Sequence, residues 1–149
     1  MKIRLASNSD SPKVIQLIDS VLGEYNDSVC LDRADSELLD IESSYSDGGA
    51  FWVLEEESTG EICGTHAALE ITDPRLSKTN GQRICVFKRL YLAQPLRGTE
   101  WGYRLMQNNI IWAKEQGMGR VEFWSDTRFD RAHRFFERFG FQKSGEVRT

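Results

Sequence analysis

Between residues 50 and 92 the chain carries three β-rich runs, AFWVLEEE, EICGTHAALEIT and RICVFKRLYL, and only the turn letters STG separate the first two. Two such runs that close together fold back as an antiparallel hairpin, because a parallel return needs a crossover of a dozen residues or more. The third run follows the polar stretch DPRLSKTNGQ and extends the meander. After it the period changes. From Thr99 to about Gln116, the residues Trp101, Leu105, Met106, Ile110 and Ala113 recur at helical spacing, GMG stops the pattern, and RVEFWS reads as another short strand. Strand, helix, strand implies a parallel crossover beside the antiparallel meander, so the expected fold is α/β, or α+β with a mixed sheet.

The flanks extend this order. KIRLA alternates apolar and polar letters and reads as a first strand. A helix follows, with Asp10 or Ser11 as its cap, Pro12 in the first turn, Val14, Leu17, Ile18, Val21 and Leu22 on one face, and Gly23 as its stop. Residues 24–34 read as a loop and residues 35–45, with Leu38, Leu39 and Ile41, as a weaker helix. A last helix from about Phe129 to Phe139 and a closing strand in GFQKSGEV complete the chain. The sum is six to seven strands flanked by about four helices. At 149 residues the chain suits one domain, 1–149, around one core.

Charge and cysteine usage narrow the function classes. A net charge of -4 argues against nonspecific nucleic-acid binding, which needs a clustered basic surface. No apolar stretch approaches the roughly 20 residues of a membrane span, and MKIRLASNSD has no signal-peptide core. Cys30, Cys63 and Cys85 lack CxxC spacing and cannot all pair, which points to free thiols, no metal and a cytoplasmic setting.

The stretch LRGTEWG, residues 96–102, joins the third run to the helix that follows. A strand that delivers Arg97 and Gly98 into a helix start aims free N–H groups and the positive end of the helix dipole at one place, where an anion is stabilised. Two longer runs, LYLAQPLRGTEWGYRLM and AHRFFERFGF, together with the element order, resemble the GNAT superfamily of acyl-CoA-dependent N-acetyltransferases. The resemblance spans nearly the whole chain and is strongest from Lys88 to Phe141. Laid on this sequence, the family's Q/R-x-x-G-x-G/A turn runs from Arg97 to Gly102, and its middle glycine falls on Glu100. A carboxylate there either points out of the first helical turn or repels a diphosphate.

What the resemblance implies is a single GNAT-like domain that uses acetyl-CoA. Its donor site would comprise Leu90, Tyr91 and Leu92 on the strand, then Arg97, Gly98, Thr99, Glu100, Trp101, Gly102 and Tyr103 in the turn. Ala132 in the last helix would let the cofactor arm pass close. The family's tyrosine acid falls on Phe136, so proton handling must lie elsewhere. Tyr91, His66 and Ser125 are the candidates, with Glu70, Asp126 and His133 also in reach of the chemistry. Tyr91, one letter before Leu92, should face the side of the sheet opposite to the leucines. The acceptor, a small-molecule or peptide amine, is expected among Glu24, Tyr25, Asn26, Asp27 and Asp32. The resemblance also allows a homodimer. A non-catalytic acyl-CoA-binding module on the same fold is the rival reading, raised by Phe136 and Glu100.

Overall fold

The computed structural model describes residues 1–32, 35–71 and 83–123. Five strands form one sheet in the order β1 (Lys2–Leu5), β2 (Gly49–Glu56), β3 (Glu61–Glu70), β4 (Ile84–Leu92) and β5 (Arg120–Phe123). The first three pairings are antiparallel, and β5 lies parallel to β4 with Phe87 opposite Phe123. The helix joining those parallel strands is α3 (Glu100–Glu115), so the meander and the crossover take the expected mixed form. The last helix and the closing strand read from the sequence lie outside the described residues.

Each face of the sheet carries its own apolar layer. Against one face packs α1 (Ser11–Gly23), whose Val14, Leu17, Ile18, Val21 and Leu22 are all buried, with Leu38, Ile41 and Tyr45 beside Phe51, Val53, Ile62 and Ala67 of the sheet. Each such side chain contributes on the order of 1.5–3 kcal/mol when removed from water. Against the other face, Met106 and Ala113 of α3 meet Ala68, Cys85 and Phe87.

Two local expectations are corrected. Asp10 does not cap α1 with its side chain. Its carboxylate turns back to accept the Ser7 amide at 2.8 Å and both guanidinium nitrogens of Arg4 at 2.8 Å, tying β1 to the helix start. The helix expected over 35–45 is broken into a 3-10 turn, Ser36–Leu39, and the single turn α2 (Ile41–Ser44). Asp40 sits between them at φ -145, ψ 74, and its carboxylate accepts the Ser43 amide at 3.2 Å. A short acidic side chain that satisfies the next helix start competes with continuing the previous one.

Candidate functional site

The junction from β4 to α3 is built by three local devices. Pro95 sets the 3-10 turn Gln94–Leu96, Arg97 is extended at φ -70, ψ 139, and Gly98 takes φ +79, a value that glycine adopts without steric cost. Thr99 then caps α3, its hydroxyl accepting the Trp101 amide at 3.4 Å. The Arg97 and Thr99 amides are bound to Gln94 and Leu96 carbonyls at 3.2 Å each. Among the described residues, the Gly98 amide and the first-turn amides at Glu100 and Gly102 have no acceptor, since a helix cannot satisfy its first turn from within itself. A Cβ placed on Gly98 would meet nothing within 4 Å among the described residues. This cradle fits an anionic group such as a diphosphate.

Glu100 does not fill that space. Its side chain is 64% exposed and drawn along the helix to Arg104, 3.2 Å away, while the Arg104 guanidinium lies 4.8 Å over the Trp101 ring. Of the two alternatives that Glu100 posed, the outward orientation is the one found. Gly102 is buried, and Tyr103 is 51% exposed.

Arg97 is largely engaged within the protein. Its guanidinium makes four hydrogen bonds, two to Glu24 at 2.6 Å each and two to the Leu92 carbonyl at 3.2 and 3.1 Å. The pairing holds the Glu24 carboxyl below the usual carboxylate range. With five N–H donors per guanidinium, the side chain acts chiefly as a strut between the end of α1, the end of β4 and the turn. Donors of the turn left for an anion are therefore those of its main chain.

Toward the middle of β4 the ladder is irregular. On β3 the register advances two residues, Thr65 to Ala67, while β4 advances three, Lys88 to Tyr91. This bulge centres on Arg89, whose φ is +61. It leaves Leu90 packed toward α3 and Tyr91 packed toward α1, so Tyr91 does face away from Leu90. Burial raises the Tyr91 phenol's pKa, against the neighbouring Arg89 side chain, which donates to it. On the Tyr91 face a cavity of about 440 Å³ is lined, among the described residues, by Glu37, Leu69, Glu70, Ile71, Val86, Lys88, Arg89 and Tyr91. The parallel pairing of β5 is described as far as Phe123, so the splay of the two strands, Ser125 and Ala132 lie outside the described residues.

His66 lies on β3 under α3 and is fully buried. Its Nδ1 is 3.3 Å from the Leu105 carbonyl and 3.3 Å from Asn109 Nδ2, its ring meets Phe87 edge to face, and burial lowers its pKa from 6.5 to about 4. A neutral imidazole in that position fastens helix to sheet, and it does not line the cavity. The residues expected on the acceptor side turn to other work. Glu24 holds Arg97, Asp27 accepts the Ser28 amide at 2.8 Å, Asp32 accepts the Cys30 thiol at 3.1 Å, and Asn26 makes a turn at φ +59. None of them lines the cavity. Its carboxylates are Glu37, 3.5 Å from the Lys88 ammonium, and Glu70, which binds Arg83 at 2.9 Å. The sequence reading missed Glu37, Lys88 and Arg89. The available signal was KR, two adjacent cations inside the otherwise apolar ICVFKRLYL.

Comparison with known proteins agrees with this geometry. A family model described as "Acetyltransferase (GNAT) family" matches residues 16–141. Among curated relatives, N-acetyltransferase 8 of Rattus norvegicus is 33% identical over 113 residues, covering 74% of this chain and 48% of the relative. Probable N-acetyltransferase camello of Xenopus tropicalis is 31% identical over 110 residues, covering 72% and 46%. The chain thus spans about half the length of these relatives. A GNAT-family acetyltransferase from Staphylococcus aureus superposes with a TM-score of 0.83 at 22% identity, covering 99% of this chain and 89% of that one. A predicted acetyltransferase of Clostridium acetobutylicum, solved with acetyl-CoA, gives 0.78 at 18% identity, with 99% and 94% covered. These two share the fold. With its mixed sheet, its left-handed Gly98 turn ahead of α3 and the match over residues 16–141, the chain belongs to the GNAT acetyltransferase family.

Proposed function

We propose that the protein is an acyl-CoA-dependent N-acetyltransferase that moves an acetyl group from acetyl-CoA to a primary amine of a small molecule, peptide or protein in a direct ternary complex. The observation that carries this reading is the placement of two features on one strand. The turn whose Gly98, Glu100 and Gly102 amides have no acceptor among the described residues lies beyond the end of β4, and the 440 Å³ cavity lies at its bulge, on the face that Tyr91 shares. The amides of Gly98, Glu100 and Gly102 would hold the diphosphate, and the main chain of Leu90 to Leu92 would run beside the pantetheine arm. Bound there, acetyl-CoA supplies an activated thioester. The chain's own part is then positioning, which can account for on the order of 7–11 kcal/mol of a two-reactant barrier.

Proton handling falls to Tyr91 in this reading, because its phenol borders the cavity while His66 is sealed under α3. Ser125 remains a second candidate by sequence alone. Among the described residues, Glu37 and Glu70 are the carboxylates at the cavity that could accept a hydrogen bond from an amine, each already paired with a cation of the protein. One structural relative is named for its acceptor, the glucosamine-6-phosphate N-acetyltransferase of Arabidopsis thaliana.

Calorimetric titration with CoA, followed by thiol release from acetyl-CoA over an amine panel, tests the proposal. The wild type should bind CoA and release thiol only when an amine is present. Gly98→Ala should weaken CoA by about tenfold or more while the fold persists, since the methyl enters open space and strains a left-handed residue. Binding without turnover on any amine would overturn the transferase assignment, and unaltered affinity in the variant would overturn the cradle.

A further inference from the structure

Arg89 combines three properties that do not coincide by default. Its backbone is left-handed, at φ +61 in the β4 bulge, where a long side chain is uncommon. The side chain is 11% exposed, so its charge has been taken almost wholly out of water. Finally, among the described residues the guanidinium binds two carboxylates from outside the sheet, Asp35 at 2.7 Å and Glu37 at 2.7 Å. On the opposite side the Thr65 hydroxyl of β3 donates to the Arg89 carbonyl at 2.7 Å. The residue is therefore gripped at both its side chain and its peptide.

Conformation alone would be served by glycine, which populates positive φ without cost and is common at bulges. Stability alone is a weak reason too, because buried ion pairs seldom outperform apolar packing of the same volume. What an arginine adds here is a planar fork that ties the strained peptide to the segment before α2. The partners lie 54 and 52 residues away in sequence, and both are carboxylates fixed by further bonds. Asp35 accepts the Cys30 amide at 2.8 Å, and Glu37 accepts the Tyr45 hydroxyl.

We infer that Arg89 is a positioning residue: its guanidinium, held by Asp35 and Glu37, keeps the β4 bulge in the shape that presents the main chain of residues 89–91, and with it Tyr91, to the reacting groups. The inference rests on the transferase reading for its catalytic consequence and on the geometry alone for its mechanical one. It also links the two halves of the site, since Glu37 lines the cavity while grasping the strand.

The test is Arg89→Gly, which permits the same backbone conformation and removes the grip together with the guanidinium beside Tyr91. Amide hydrogen exchange across residues 88–92 should accelerate about tenfold or more over the wild type, without a matching change in α1 or α3. In the thiol-release assay kcat should fall on the order of 10- to 100-fold, with the CoA dissociation constant within about threefold, because the Gly98 turn is untouched. Glu37→Gln, which keeps the side-chain shape and removes one of the two charges, should give the same split at smaller amplitude and serves if Arg89→Gly does not fold. Exchange within about twofold of the wild type in a folded variant would overturn the grip, and a variant kcat equal to that of an active wild type would overturn its catalytic consequence. A wild type that releases no thiol with any amine would instead sink the transferase reading, and the exchange measurement would still decide whether Arg89 holds the bulge.

Discussion

His66 shows how one residue's chemistry is set by what surrounds it. In CGTHAAL it is a histidine on a strand, equally suited to proton transfer or to a hydrogen bond. Burial beneath α3 settles its protonation state, because the charged imidazolium would be sealed from water with a single close carbonyl, that of Leu105, to stabilise it. Its folded pKa, about 4, is below the ordinary 6.5, so the unfolded chain takes up the proton first. The stabilising contribution is thus complete above pH 6.5 and is lost as pH falls from 6.5 through 4, with a full size on the order of 3 kcal/mol. Urea midpoints of the wild type and His66→Gln should therefore lie further apart at pH 7 than at pH 4.5. An equal separation at the two pH values would show that the ring is not held neutral by its site.

At the scale of elements, the β4–α3 junction depends on a few side chains with definite tasks. Removing the hydroxyl in Thr99→Ala should cost about 1 kcal/mol, read as a lowered thermal midpoint, because the α3 cap is lost and another first-turn amide is left to water. An unshifted midpoint would mean that the cap contributes nothing. This junction was readable in advance, since the period changes at Thr99 and the glycines punctuate it. The segment 35–45 was not readable in the same way. Its leucines and isoleucine suggested one helix, but the Asp40 carboxylate serves the Ser43 amide, and that local bond ends one turn and begins another. Apolar spacing records which face is buried and is silent about a side chain competing with the backbone.

Over the whole molecule, the two apolar layers meet the sheet where small residues let them approach. At Gly64 an added Cβ would lie 3.0 Å from Leu92, 3.2 Å from Leu105 and 3.3 Å from Leu54, so β2, β4 and α3 all converge on it. Gly64→Ala should destabilise the fold by about 1–3 kcal/mol through overpacking, measured as a lower urea midpoint. A variant as stable as the wild type would show that the layers can part without strain.

Local pattern and turn chemistry determined the order of the described elements, the buried face of α1, the glycine turn ahead of α3 and the opposition of Tyr91 to Leu90. Each follows from residue spacing along one stretch of chain, where periodicity maps directly onto direction. Tertiary structure decided the bulge at Arg89, the outward turn of Glu100, the burial of His66 and the pairing of Glu24 with Arg97 across 73 residues of sequence. The last of these depends on which distant groups the sheet brings within reach, and the bulge depends on cross-strand register. Neither has a signature in neighbouring letters, because Coulomb attraction and desolvation are set by distance in space and by the solvent excluded around each charge.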